Sequence, residues 1–446
     1  MLHRGFALAA GGGSLALAAA LLVQPGPEAG DVVVLTGASV IDGTGGPPLE
    51  RAALLFRDGQ IQAVSPAADL AIPDGATRID ATGKTIIPGL INAHAHLNDG
   101  DEALPLREQL LAQLRVYAAF GVTTVQTLGD GRSAAHRAHA PRLPYPWQVG
   151  EESVRVRDAQ ADGDLLDRAR LFPSGPNLVG ATEVEAREGV DQIAELGVDV
   201  LKTRLDDRPD DMAPAVYRAL IDQAHRRRLR VAAHAVTLED AKGLADAGVD
   251  AIVHSVRDRD VDAELIAALT GRDIGYVPTL TRTLSLFLYE TTPAFFGDAF
   301  FLRGGDAYRA EMERIRDPEL QARVRGSAQA AAARKVLAQA QRNLKLLADG
   351  GVTIAMGTDS GTQLGRWQGY FEHVELELMV EAGLTPLQAL VAATGSAARV
   401  MGLGELGTLE PGKWADFVVL DADPLTDIRN TRRIDSVWIA GRRLPD

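Results

Sequence analysis

The sequence predicts an α/β chain: a TIM (β/α)8 barrel with a small β-sandwich domain built from both chain ends. Three observations carry that expectation. Short β-rich runs bounded by Gly, Pro and Asp turns fill residues 31–86 and return after residue 405. Between them, apolar strand-like runs alternate with amphipathic helical stretches. Polar residues of metal-binding type recur at the C-terminal ends of those runs, the end at which barrel active sites form.

The first thirty residues stand apart. His3 and Arg4 precede an almost wholly apolar run, Phe6 to Val23, which Gln24-Pro25-Gly26-Pro27 ends. Residues 1–30 therefore read as a secretory signal peptide, because Gly11-Gly12-Gly13 weakens a continuous spanning helix. A secreted or periplasmic protein is expected, with an uncleaved N-terminal membrane anchor as the alternative. The chain has no Cys, so lipid attachment at cysteine and disulfides are excluded.

Residues 31–86 carry the β runs Val32–Leu35, Ala53–Phe56, Ile61–Val64 and Thr77–Asp80, divided by turns such as Asp42-Gly43-Thr44-Gly45-Gly46 and Asp58-Gly59. The texture returns in Asp416–Leu420 and Ser436–Ile439 within residues 405–446. Neither end has strands enough for a stable sheet alone, so the two are expected to pair.

The barrel is expected over residues 87–404. Its strand candidates are Thr85–Ile91, Val122–Leu128, Asp199–Leu201, Arg230–Ala233, Ala251–Val253, Ile274–Val277 and Thr353–Met356, with a less clear run at Phe172–Val179. Helical stretches include Val184–Leu196, Ala213–Arg228, Leu238–Ala247 and Asp262–Leu269. About eight such units fit a closed barrel better than an open sheet. Residues 278–352 break the rhythm with a Phe-rich start and the long helical stretch Ala328–Leu347. An insertion of that length on a barrel reads as a lid.

Hydrophobic residues make up 46% and charged residues 24%, an ordinary globular composition. The net charge of −14 disfavours nucleic acid and anionic lipid, so a small-molecule partner is expected, with no stable membrane partner. The composition is compatible with a homo-oligomer. Without Cys, a metal site must use N and O ligands, for which nine His are available.

His94 and His96 end the first barrel strand, and residues i and i+2 of a strand point to one face. Taken alone, a His-x-His pair is weak. Lys202, His234, His254 and Asp359, however, end or follow four further strand candidates. His3, His136, His139, His225 and His373 lack that context and read as signal, loop or surface residues.

These features together resemble the amidohydrolase superfamily, in particular its prolidase-like branch with a carboxylated lysine. The resemblance covers residues 31–446. It rests on Pro88-Gly89-Leu90-Ile91-Asn92-Ala93-His94-Ala95-His96, Gly121-Val122-Thr123-Thr124-Val125, the Lys202, His234 and His254 strands, and Gly357-Thr358-Asp359. The tail Gly407-Thr408-Leu409-Glu410-Pro411-Gly412-Lys413-Trp414-Ala415-Asp416 adds to it.

The resemblance implies two divalent ions, usually Zn²⁺. His94, His96 and Asp359 would hold one and His234 and His254 the other, with Lys202 bridging as a CO2-derived carbamate. An ammonium cannot bind a cation, whereas a carbamate presents anionic oxygens like a carboxylate. A water held between two metals becomes hydroxide near neutral pH. Asp359 would take its proton and pass it to the leaving amine. His254, if not a ligand, would donate to the carbonyl oxygen. Without carboxylation, Lys202 would instead be an ordinary lysine paired with Asp199 or Asp206.

The expected substrate is an N-acyl amino acid, a dipeptide or a related amide. Tyr276, Arg204 and Arg282 are the candidate substrate contacts, the arginines because a guanidinium fork suits a carboxylate. Ser174-Gly175-Pro176-Asn177 lacks the Gly-Gly-His run that dipeptidase relatives carry there, which weighs against a dipeptide. The competing readings are an esterase, lactonase or phosphotriesterase on the same site and, more remotely, a non-catalytic binding protein.

Overall fold

The computed structural model describes residues 32–98, 100–130, 144–161 and 166–445. The expected signal segment, with His3, and also His136 and His139, lies outside the described residues.

Strands β1 (Val32–Val40), β2 (Leu49–Arg57), β3 (Gln60–Pro66), β4 (Thr77–Asp80) and β5 (Thr85–Pro88) come first. Strands and helices then alternate: β6 (Leu90–Ala95), α1 (Leu106–Ala119), β7 (Val122–Thr127), α2 (Pro144–Ala161), β8 (Arg170–Phe172), α3 (Glu183–Glu195), β9 (Val200–Arg204) and α4 (Pro214–Arg226). The alternation continues with β10 (Arg230–His234), α5 (Leu238–Ala247), β11 (Ala251–Val253), α6 (Ala263–Gly271) and β12 (Gly275–Val277). A helical region follows: α7 (Leu280–Leu284), α8 (Gly305–Ile315), α9 (Pro318–Arg325), α10 (Ala328–Asp349), α11 (Tyr370–Glu381), α12 (Pro386–Ala392) and α13 (Gly395–Met401). Strands β13 (Phe417–Leu420), β14 (Ile434–Ile439) and β15 (Arg442–Arg443) close the chain.

Both chain ends share one eight-stranded sheet, in the order β15-β14-β13-β5-β1-β2-β3 with β4 beside β1. β13 pairs antiparallel with β5, Val419 opposite Ile86, so the expected pairing of the two ends is observed. Their apolar faces meet in a common core of Leu35, Leu54, Phe56, Ile61, Phe417 and Trp438. Phe417 stacks on Trp438 with ring centroids 5.3 Å apart, and Phe56 tilts against Phe417 at 5.7 Å. Such pairs add about 0.5–1.5 kcal/mol each beyond area burial.

The remaining strands form two parallel sheets, β6-β7-β8 and β9-β10-β11-β12. β7, β11 and β12 are buried along their whole length and so on both faces, as parallel strands covered by helices require. Single parallel bridges extend the pairing: Leu178 with Thr203, Tyr276 with Ile354 and Ala95 with Ser360. The strand expected at Thr353–Met356 is reduced to that one bridge at Ile354 and three backbone bonds to its neighbours, Ala93 N to Met356 O, Tyr276 N to Thr353 O and Ala355 N to Tyr276 O, each 2.9 Å.

The run Thr85–Ile91 is two strands rather than one. Gly89 divides them, so β5 joins the mixed sheet and β6 the parallel one. A Cβ at Gly89 would lie 2.0 Å from Thr123 Oγ1, so only glycine admits this close crossing. Gly89 N also donates to Asp416 O at 2.9 Å. The Asp416 carboxylate takes a bidentate pair from Arg170 of β8, at 2.6 and 3.1 Å, which ties the tail to the parallel sheet.

The four expected helices fall on α3–α6. Three start where a side-chain oxygen accepts an otherwise unpaired N–H: Thr182 from Glu185 N, Thr237 from Asp240 N and Asp262 from Leu265 N. Among the described residues no helix is long and apolar enough to cross a membrane.

The phenylalanines of the 278–352 excursion are packed into an aromatic core. Phe296 and Phe301 stack at 5.2 Å, and Phe301 meets Trp367 at 5.1 Å and Tyr370 at 5.0 Å. His373 corrects its expected surface placement. It is buried on α11, its Nε2 2.8 Å from Phe120 O and its Nδ1 2.9 Å from Thr431 Oγ1. Burial pushes that imidazole down to about 3.

Candidate metal centre

The parallel register brings the polar strand ends to one level. Lys202 lies opposite Ala232, Arg204 opposite His234, and His234 opposite Val253, one residue before His254. The i, i+2 rule then puts Lys202 and Arg204 on one face of β9. The imidazoles gather in a chain: ring centroids lie 5.4 Å apart for His94 and His96, 4.6 Å for His94 and His254, and 4.2 Å for His234 and His254.

Asp359 completes the group from the far side. Its Oδ1 is 2.8 Å from His96 Nε2 and 3.4 Å from His94 Nε2. Ligand atoms of His94, His96 and Asp359 all lie within 4.8 Å of one another, and all three residues are buried. Gly357 makes the approach possible, since a Cβ there would sit 2.8 Å from His94 Cβ and 2.5 Å from a Val277 methyl.

The protonation states suit a cation. Burial holds the imidazoles of His94, His234 and His254 well below the ordinary value, so they are neutral and keep a lone pair to give. Burial works against ionising Asp359, but the Arg366 guanidinium and the His96 hydrogen bond hold its carboxyl well below the usual range. Among the described residues, His94 Nδ1, His96 Nδ1 and Lys202 Nζ are buried without a hydrogen-bond partner. Buried polar atoms of this kind are rare unless something outside the protein chain satisfies them. Neutral imidazoles, an ionised carboxylate and unpartnered nitrogens are therefore a donor set that fits divalent metal.

Lys202 is not the ordinary ion-paired lysine. Asp199 pairs with Arg157 at 2.7 Å, and Asp206 faces Arg204 and His234 at 3.4 and 3.7 Å. Burial, only partly opposed by Asp359, brings the Lys202 ammonium down to about 7, so a neutral amine is accessible.

Backbone strain collects here as well. His254 (φ 73°), Asp359 (φ 61°) and Thr279 (φ 47°) occupy the left-handed region without being glycine, at a cost of about 1–3 kcal/mol each. Thr279 Oγ1 lies 2.8 Å from His254 Nδ1 and so orients that ring.

Two carboxylates on α11 brace the loops from behind. Glu372 Oε1 accepts from Asn92 Nδ2, from Thr358 Oγ1 at 2.9 Å and from Ser360 Oγ at 2.8 Å. It thereby joins the His94 strand to the Asp359 loop, because Asn92 Oδ1 accepts from His94 N at 2.9 Å. Glu375 accepts from Leu280 N, Thr281 N and Thr281 Oγ1, each at 2.7 Å, and so holds the turn that carries Thr279. Burial raises both carboxyls to about 7.

The expected substrate contacts fall around this centre with different neighbours. Tyr276 is fully buried, and its hydroxyl accepts from Val256 N at 2.7 Å. Arg204 pairs with Asp206, and Arg282 Nε lies 3.1 Å from Asp359 Oδ2. His225 lies outside the centre, 2.9 Å from Asp250.

Sequence reasoning missed Arg366, Arg257, Glu372 and Glu375. Arg366 pairs with Asp359 Oδ2 while nearly fully buried. It reaches the centre from residues 361–369, which Tyr289 and Tyr308 anchor through hydrogen bonds to Gly365 O and Gln368 O. No spacing rule connects an aromatic excursion with a distant arginine. His254-Ser255-Val256-Arg257 did hold a usable signal, an arginine three residues past a ligand candidate.

The comparisons with known proteins agree with this geometry. The Amidohydrolase family model matches residues 85–444. Imidazolonepropionase of Salinispora tropica is 25% identical over 407 residues, covering 83% of this chain and 86% of its own length. That of Deinococcus radiodurans is 26% identical over 415 residues, covering 89% and 92%. Among solved structures, a provisionally assigned prolidase from Bifidobacterium longum superposes with a TM-score of 0.74 at 28% identity, covering 94% of this chain and 96% of that one. A Xaa-Pro dipeptidase with bound methionine gives 0.71 at 21%, covering 93% and 100%, and shares the fold. With the match extending from β5 to the last strands and taking in every ligand candidate, the chain belongs to the amidohydrolase family.

Proposed function

We propose that the protein is a metal-dependent hydrolase that cleaves a carbonyl C–N bond in a small anionic amide, an N-acyl amino acid before a dipeptide. The observation that carries this reading is the gathering of His94, His96, His234, His254 and Asp359 around the unpartnered amine of Lys202. The names of the similar proteins, imidazolonepropionase and Xaa-Pro dipeptidase, lie in the same chemical territory. The domain reading goes with it: the parallel segments 87–404 form one closed eight-stranded barrel, supported by the three bridges that continue β6–β12. Residues 31–86 and 405–446 form the small β-sandwich domain, supported by their common core. Export by the segment 1–30 remains part of the reading on sequence grounds.

His94, His96 and Asp359 would hold one divalent ion and His234 and His254 a second, zinc being favoured by the N/O donor set. Lys202 Nζ, reached as a neutral amine, would add to CO2 with loss of a proton and give a carbamate able to bridge both sites. When bound, the metals supply Lewis acidity toward the carbonyl and acidify water.

The rest belongs to the chain's own groups. Asp359 Oδ1 faces the imidazoles and accepts the proton of the attacking water, then delivers it to the departing nitrogen. Its Oδ2, gripped by Arg282 and Arg366, stays out of that exchange and fixes the carboxylate plane. His254, turned by Thr279, keeps Nε2 directed into the centre. Arg204, Tyr276 and Arg282 would line the substrate side of the centre, with Arg204 and Arg282 held in place by Asp206 and Asp359.

The test is a panel of N-acyl amino acids, dipeptides and aryl esters assayed with zinc-loaded protein. Turnover concentrated on the amides is expected. Turnover of esters alone would replace this reading with the esterase alternative, and turnover of none would leave a binding protein.

A further inference from the structure

Arg204, Arg257, Arg282 and Arg366 stand around the centre of a chain whose net charge is −14. Three of them are engaged with carboxylates: Arg204 with Asp206, and Arg282 and Arg366 both with Asp359. Arg257 differs. Among the described residues no side-chain hydrogen bond or ion pair engages its guanidinium. The acids that follow it are occupied elsewhere. Asp258 accepts from Leu238 N at 2.9 Å and Arg259 Nε at 2.6 Å, and Asp260 accepts from Gln339 Nε2 at 2.7 Å.

The backbone at Arg257 is held firmly. Its N–H donates to Val236 O at 3.0 Å, two residues beyond His234, and the preceding Val256 N donates to the buried Tyr276 hydroxyl. The side chain starts three residues after His254, is only partly exposed, and feels Arg282, Tyr276, Asp359 and Arg366 as its charged or polar neighbours. Burial first, then the Arg282 cation, brings its guanidinium down to about 10, with Tyr276 and Asp359 opposing the shift only in part. A guanidinium in such a place costs stability unless an anion pairs with it. No carboxylate of the described chain does so.

We infer that Arg257 is the anion anchor of the substrate pocket, receiving a carboxylate carried by the substrate on the side of the centre lined by His234 and His254. This rests on the hydrolase reading and sharpens it. Arg204 and Arg282 are held by the protein's own acids, and Arg257 is the guanidinium left to accept a bidentate partner. The bond cleaved then lies within reach of the centre when the carboxylate is seated on Arg257, which favours amides bearing a carboxylate close to the scissile nitrogen.

The test compares N-acetyl-L-methionine with its neutral carboxamide on zinc-loaded wild type, R257A and R257K. Turnover and calorimetric binding are both measured. Wild type is expected to prefer the acid, and R257A to reduce the acid-to-carboxamide ratio of kcat/KM, or of affinity, roughly 10- to 100-fold. The effect should fall on KM more than on kcat, and R257K should restore part of the ratio. Metal content and melting temperature identify a variant that fails to fold, in which case R257K alone decides. If neither probe is turned over, the hydrolase reading fails separately, while the binding ratio still judges Arg257. A ratio unchanged in the variants, or a wild type that binds acid and carboxamide alike, would overturn the inference.

Discussion

His94, His96, Lys202, His234 and His254 stand on, or directly beyond, hydrogen-bonded parallel strands, whereas Asp359 stands on a loop with no continuous strand of its own. The histidine side takes its geometry from the sheet ladder, a local and periodic device. The carboxylate side takes its geometry from distant parts of the chain: Arg282 from α7, Arg366 from residues 361–369, Glu372 from α11, and the aromatic excursion that holds Arg366 in place. One half of the centre is thus rigid by construction, and the other is rigid by bracing. The difference teaches where mutations far from any ligand should be felt.

The sharpest way to break the comparison is to remove Arg366. R366M leaves Asp359 buried with Arg282 as its remaining cation. We expect a loss of about 3–5 kcal/mol in the denaturant unfolding of metal-free protein, as for other broken buried pairs. A loss below about 1 kcal/mol, the scale of an exposed pair, would mean that Arg282 suffices and the bracing account is wrong.

The bracing carboxylate gives a pH signature. Burial raises the Glu372 carboxyl from its ordinary 4.5 to about 7. Between those values the unfolded chain releases the proton while the folded protein keeps it, so stability present below pH 4.5 is lost as pH rises to 7. Relative to E372Q, wild type should lose roughly 3 kcal/mol across that window, and parallel curves would contradict the buried protonated state. The smallest expected effect belongs to Y308F, which removes the hydroxyl held by Gln368 O. It should cost about 1 kcal/mol in wild type and distinctly less in R366M, since both act on one loop. Full additivity would separate the excursion from the centre.

The same division explains what could be read from sequence. Alternation along β6 and the recurrence of polar residues at strand ends made His94, His96, Lys202, His234 and His254 visible, because a two-residue period is written locally. The shared sheet was legible as well, since neither chain end could stand alone. Thr85–Ile91 was misread as one strand because the division depends on what Gly89 touches across the fold, Thr123 and Asp416. His373 was misplaced for a related reason: its burial comes from Phe120 and Thr431, both distant in sequence. Glu372 and Glu375, one turn apart on a helix, look like solvated acids until the loops they receive are known.

Metal stoichiometry tests the central claim most directly. Purified protein, equilibrated with zinc and bicarbonate and then desalted, would be assayed by elemental mass spectrometry beside K202A. The account predicts about two metal ions per chain for wild type and no more than about one for K202A, because the bridging group is lost. Less than one ion per folded wild-type chain, or two retained by K202A, would contradict it.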